Sequence, residues 1–132
     1  MPNRLIEIHD SVLERISFYG SEARLYFALV HIHQSDGLPG QDTGQVWTQA
    51  AMLRLGDAMV SGEFSMLPAR LSAGSAVLGA NSLDNMIPLP LRYEGTFKLR
   101  LQADNSEVMT LSGIGARLDL LGEPKYLEEF RP

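Results

Sequence analysis

The clearest pattern along the chain is alternation. In Thr96-Phe97-Lys98-Leu99-Arg100-Leu101-Gln102 apolar residues occupy every second position. Successive strand side chains point to opposite faces, so Phe97, Leu99 and Leu101 are predicted to face a core and Lys98, Arg100 and Gln102 to face water. Ala103-Asp104-Asn105-Ser106 supplies turn chemistry. Residues 107–112 alternate again, with Met109 and Leu111 on one face, and the two runs read as a hairpin. Beyond Gly113 and Gly115, Ala116-Arg117-Leu118-Asp119-Leu120 repeats the pattern. Three consecutive antiparallel strands are predicted here.

The N-terminal third has similar wording. Residues 12–18 are β-rich, Tyr19-Gly20-Ser21 is a turn, and residues 23–34 form a long apolar strand. A two-residue period places Leu25, Phe27, Leu29, His31 and His33 on one face and Tyr26, Ala28, Val30 and Ile32 on the other. Both faces are apolar at the centre, which predicts a strand between layers rather than at an edge. A loop follows over residues 35–45.

Residues 48–59 carry good helix formers, yet Trp47, Ala51, Leu53 and Leu55 also fit a two-residue period. Strand is preferred because its neighbours are strands. Residues 69–78 read as a short hairpin around Ala73-Gly74-Ser75, and residues 81–90 as irregular. Pro88 and Pro90 cannot donate ladder hydrogen bonds, so that segment is an edge or a crossover. The sum is an all-β chain of about eight strands, an antiparallel β-sandwich or jelly-roll-like barrel. No repeat or linker divides it, so residues 1–132 are read as a single domain.

Composition narrows the function classes. A length of 132 residues suits one self-sufficient core. There are 16 acidic and 11 basic residues, and the basic ones are scattered along the sequence. Without a basic stripe, neither nucleic acid nor an anionic membrane is an expected partner. The absence of cysteine removes disulfides, thiolate metal sites and cysteine nucleophiles. No apolar run approaches the roughly 20 residues that span a bilayer, and no signal-like segment opens the chain. A cytoplasmic location is the expectation.

Three local clusters could carry chemistry. His31-Ile32-His33 puts two imidazoles on one strand face, where both could reach one divalent ion. Cupins hold a metal on a jelly-roll with such a pair, but they add an acid and a distant histidine. Here Asp36 would have to serve from a loop and His9 from the N-terminal strand. The plainer reading has both histidines bonding to backbone or water at the wet end of a strand. The loop Asp36-Gly37-Leu38-Pro39-Gly40-Gln41-Asp42-Thr43-Gly44 offers carboxylates and glycines, without the spacing of a calcium loop, and reads as a long connection. His9-Asp10 is an acid–base pair in composition only, because neighbours on a strand point to opposite faces. Asp10 or Ser11 is expected to bond local backbone instead.

Nucleophile elbows and phosphate loops are absent from the sequence. Near the C-terminus Tyr126, Leu127 and Phe130 are expected to pin the tail to the body, leaving Glu123, Glu128 and Glu129 as an acidic patch. With Trp47, the residues Tyr126, Glu128 and Glu129 make a candidate contact surface for a basic partner.

Ile8-His9-Asp10-Ser11, followed by an alternating strand and a turn, resembles the opening of small bacterial proteins of unknown function. Some of these are grouped with the immunity proteins of polymorphic toxin systems. Tyr126-Leu127-Glu128-Glu129-Phe130 resembles how several of them close. The resemblance is confined to the two ends of the chain. It implies a β-rich, non-enzymatic protein with a protein partner, and it assigns no functional residue.

The expected function is therefore a non-enzymatic binding domain with a protein partner and no cofactor. The alternatives are a cupin-like jelly-roll holding one divalent metal through His31 and His33 with His9 or Asp36, or a carbohydrate or small-ligand module using Trp47 and a tyrosine. A homo-oligomer through an open sheet edge is a further expectation.

Overall fold

The structure is a computed structural model that describes residues 2–132. The chain is all-β. Nine strands form one antiparallel sheet: β1 (Asn3–Tyr19), β2 (Glu22–Ser35), β3 (Gly44–Leu55), β4 (Met59–Ser61), β5 (Ala69–Leu78), β6 (Asn81–Asp84), β7 (Met86–Leu89), β8 (Arg92–Ala103) and β9 (Val108–Phe130). The described residues form no helix long and apolar enough to cross a membrane.

The sheet closes on itself through the ring β1–β2–β3–β9–β8–β5 and back to β1. The last seam is narrow, with only Val12 opposite Arg70 and Leu13 opposite Ala69. Beside it β6 pairs with β5 while β7 pairs with β1. Asn85, between β6 and β7, ties the two sides together. Its N–H donates to the Gly74 carbonyl at 2.9 Å, and its carbonyl accepts from the Ile8 N–H at 3.0 Å. Its side-chain Oδ1 accepts from the His9 N–H at 2.8 Å. Asn85 holds a φ of 58°, which asparagine adopts more readily than most residues.

Alternation fills the barrel. Leu25, Leu53, Leu55, Phe97, Leu99, Leu101 and Leu111 are all buried inside it. The interior space left among Ile6, Ile8, Phe27 and Leu101 is about 10 Å³, roughly the room one water needs.

Four local expectations are corrected, and glycine or bulge geometry explains the first three. The alternating runs after residue 107 are one strand, β9, rather than two. A Cβ at Gly113 would meet the Gly56 carbonyl oxygen at 2.5 Å, so that glycine serves a close crossing and not a turn. Residues 69–78 are likewise one strand, β5. A Cβ at Gly74 would lie 2.7 Å from Ile8 Cγ2 and 2.7 Å from the Arg100 carbonyl oxygen.

In β2 a register shift between Phe27 and Val30 reverses the alternation. Leu25 and Phe27 point inward, and then Val30 and Ile32 do. His31 and His33 therefore share the outer face rather than the Leu25–Phe27 face. Residues 81–90, read as irregular, form β6 and β7, and β7 lies at one end of the strand order. The ambiguous segment at 48–59 is strand in β3, a turn, and then β4.

Candidate functional site

The outer face of β1 and β2 carries the main polar cluster. Glu7 stands opposite His31 and Leu5 opposite His33 in the β1–β2 ladder. Ile6, Ile8, Val30 and Ile32 take the inward positions, which leaves Glu7, His31 and His33 outside the barrel wall. His33 is nevertheless only 8% exposed in its side chain, and its Nε2 lies 3.4 Å from Glu7 Oε1. Phe130, at the end of β9, meets the imidazole edge-on at 5.2 Å and 83°. The connection between β2 and β3 closes in from another side, leaving a pocket of about 180 Å³ lined by Glu7, His33, Gly40, Gln41 and Asn85.

The bond from His33 is the main reason the Glu7 carboxyl sits below the ordinary glutamate range. Burial opposes it, and the nearby His33, His31 and His9 charges assist. The Nδ1 atoms of both His31 and His33 are buried without a hydrogen-bond partner. Ser11 bridges the bulge in β1: its hydroxyl donates to the Glu7 carbonyl at 2.8 Å and accepts from the His31 N–H at 3.3 Å. That is the local backbone role anticipated for it.

His9 and Asp10 do meet, against the alternation argument. Asp10 has a φ of 69°, which breaks the pleat and lets its Oδ2 approach His9 Nδ1 to 3.3 Å. Arg70 holds the other oxygen. Its hydrogen bond is the leading cause that lowers the Asp10 carboxyl; slight burial opposes it and the His9 charge adds to it. Glu7, Asn85 and Arg70 are thus the members of this cluster that the sequence reading missed. Glu7 lies two residues before His9 on an alternating strand, the one sequence signal that could have flagged it.

The four metal candidates are not gathered together. Asp36 lines a separate pocket with Ser35 and Glu129, while His33 faces the pocket with Glu7. Among the described residues no three His, Cys, Asp or Glu side chains are grouped so as to hold a metal ion. The second loop carboxylate, Asp42, accepts from the Leu38 N–H at 2.6 Å and so braces its own turn.

The other candidate surface lies at the far end of β9. β8 pairs with β9 up to Arg117, opposite Arg92, and β3 pairs with β9 on its other side up to Phe130. Residues 119–130 therefore have a strand on one side only among the described residues. Trp47 packs against the core at the barrel mouth and meets Tyr126 edge-on at 5.3 Å and 77°. Two rings so nearly perpendicular do not make a flat stacking platform. The Tyr126 hydroxyl donates to Glu129 at 2.9 Å. Partial desolvation and then that bond raise the phenol above its ordinary range. Tyr126 is 49% exposed and Leu127 50%. The tail is anchored by strand pairing, by Tyr126 against Trp47 and by Phe130 against His33, while Leu127 is half exposed.

No protein-family model matches the chain, and searches of the curated proteins and of the solved structures found no significant match.

Proposed function

We propose that this protein is a non-enzymatic interaction domain that binds an extended, basic segment of a protein partner along the free side of β9. The observation that carries the reading is the one-sided pairing of residues 119–130. An unpaired strand edge presents N–H and C=O groups in the spacing of the next strand, and strand addition satisfies them.

Chemistry along the edge selects the partner. Over residues 122–130, Glu123, Glu128 and Glu129 stand against Lys125 alone. Two copies of this edge would bring like charges together, which disfavours self-pairing. Gly122, at a φ of 70°, and Pro124 interrupt the regular ladder between Leu121 and Lys125, which leaves Lys125 to Phe130 as the stretch for an added strand. A basic strand meets complementary charge instead, with Tyr126 and Leu127 as apolar contacts. The resemblance of the chain ends to small bacterial proteins of unknown function, some of them grouped with immunity proteins, implies a protein partner and agrees in kind.

The test uses the single tryptophan as reporter, because Trp47 touches Tyr126 at this edge. Titrate a synthetic peptide alternating Lys or Arg with Val or Thr, and a charge-reversed Glu version, following Trp47 fluorescence and amide exchange of residues 119–130. The basic peptide should bind, protect those amides, and weaken at least tenfold in a Glu128→Lys, Glu129→Lys variant. Equal binding of both peptides, or protection elsewhere on the barrel, would refute the assignment.

A further inference from the structure

On the outer face of the barrel, four arginines form one row across four adjacent strands. Arg24 of β2 stands opposite Arg54 of β3, Arg54 opposite Arg117 of β9, and Arg117 opposite Arg92 of β8. Their neighbours Ala23, Leu25, Leu53, Leu55, Ala116, Leu118 and Leu91 are buried, so all four guanidinium groups project outward from the wall. At a strand spacing of about 4.8 Å, the row is about 14 Å long.

Like charges directly opposite one another destabilise a sheet. Among the described residues two carboxylates contact the row. Glu22 lies 2.6 Å from Arg24 Nε. Asp119 lies 3.1 Å from Arg54 and 3.6 Å from Arg117. Arg92 has no carboxylate partner among the described residues. The chain carries more acid than base, 16 residues against 11, so a deficit of acid at this one place is a local arrangement and not a consequence of composition.

The row borders a groove. A cleft of about 620 Å³ is lined by Arg54, Arg92, Arg117, Tyr93 and the glycines Gly56 and Gly115. That volume is within the range of small-molecule sites, and it contrasts with the filled barrel interior. Arg54 Nε is buried and donates to nothing, although its Nη2 is held by Asp119. A buried donor without an acceptor is costly, so the Arg54 head is held here at some expense of stability. Glu22 and Glu94 also line the cleft; Glu22 is engaged by Arg24, while Glu94 pairs with none of the arginines.

We propose that this cleft binds a small molecule bearing two or more oxyanion groups, phosphoryl or carboxylate, held by Arg54, Arg92 and Arg117. Planar guanidinium forks suit such groups because each can donate two parallel hydrogen bonds. Three forks in a row match several anionic groups on one ligand better than a single charge. The length of the row fits a small molecule, and the net acidic chain gives no continuing basic track for a polymer. The cleft and the β9 edge meet at Asp119, but they take different ligands, so a failure of one is distinguishable from a failure of the other.

The experiment is calorimetric titration of the whole protein with inorganic pyrophosphate and, separately, with citrate, at matched ionic strength, with acetate as the monoanion control. At least one polyanion should bind while acetate does not, and which one binds identifies the group recognised. Arg92→Gln, an exposed substitution that spares the core, should weaken binding at least tenfold, and Arg131→Gln should leave it unchanged. Glu94→Gln should tighten binding severalfold by removing the opposing charge. Binding insensitive to Arg92→Gln and Arg117→Gln, acetate binding as well as the polyanions, or no heat with either polyanion at millimolar concentration would overturn the proposal.

Discussion

Asp10 accepts two hydrogen bonds from Arg70, at 2.6 and 3.0 Å, beside the narrowest seam of the barrel. Both go to one oxygen, and the other oxygen faces His9. The pair spans β1 and β5 where only two residue pairs join those strands, so it clamps the ring at its weakest closure.

The clamp is exposed, and exposed ion pairs contribute little. Arg70 is 60% exposed in its side chain, so Arg70→Ala should lower stability only slightly. Asp10→Val should cost more, because a β-branched residue is strained at the φ of 69° that Asp10 holds, and such strain is worth about 1–3 kcal/mol. Urea denaturation of the two variants checks the order. A valine variant as stable as the alanine variant would mean the bulge does not need its left-handed residue.

Gly74 makes a sharper prediction. Its missing Cβ lets β8 and the Ile8 side chain close in from two sides, and its carbonyl receives the Asn85 N–H. Gly74→Ala inserts a methyl group 2.7 Å from both neighbours. Overpacking of this kind costs about 1–3 kcal/mol or more, because neither a backbone carbonyl nor a buried isoleucine yields easily. Thermal unfolding should show a fall of several degrees, with amide protection at Ile8 and Asn85 lost first.

Acid stability should depend on Glu7. Its carboxyl is lowered below the usual 4.5, chiefly by the bond with His33. A depressed carboxyl contributes stability that is present above its unfolded value and lost as pH falls through the folded one. The native protein should thus lose stability steadily once pH drops below about 4.5, and Glu7→Gln should flatten that slope. Denaturant midpoints measured from pH 7 to pH 3 decide it; identical slopes in the two proteins would remove Glu7 from the account.

The strands were legible in the sequence because most of the barrel obeys a two-residue period. Phe97, Leu99 and Leu101 are inward as their alternation requires, and Leu53 and Leu55 decide the strand identity of β3. The failures share one cause: three-dimensional neighbours that sequence periodicity does not register. Gly74 and Gly113 look like turn residues and are crossing points. The bulge after Phe27 moves His31 and His33 to the other face. The arginine row joins residues 24, 54, 92 and 117, which only the ladder registers bring side by side. His31, His33 and His9 drew notice as residue types, but the partner that matters to His33 was the unremarked Glu7.

Phe130 covers His33 from the last residue of β9, and this contact joins that of Tyr126 with Trp47 in holding the tail to the body beyond its pairing with β3. An edge-to-face aromatic contact adds about 0.5–1.5 kcal/mol beyond buried area, and the imidazole beneath is almost wholly shielded. Phe130→Ala should lower stability by about 1–2 kcal/mol, given that Phe130 is only partly buried and leaves a gap open to solvent. It should also open His33 to reagents. Carbethoxylation followed by peptide mass mapping gives a direct readout: His33 should react slowly in the native protein and several times faster in the variant, while the exposed His9 reacts at one rate in both. Equal rates at His33 would show that the connection between β2 and β3, through Gly40 and Gln41, shields the imidazole without help from the tail.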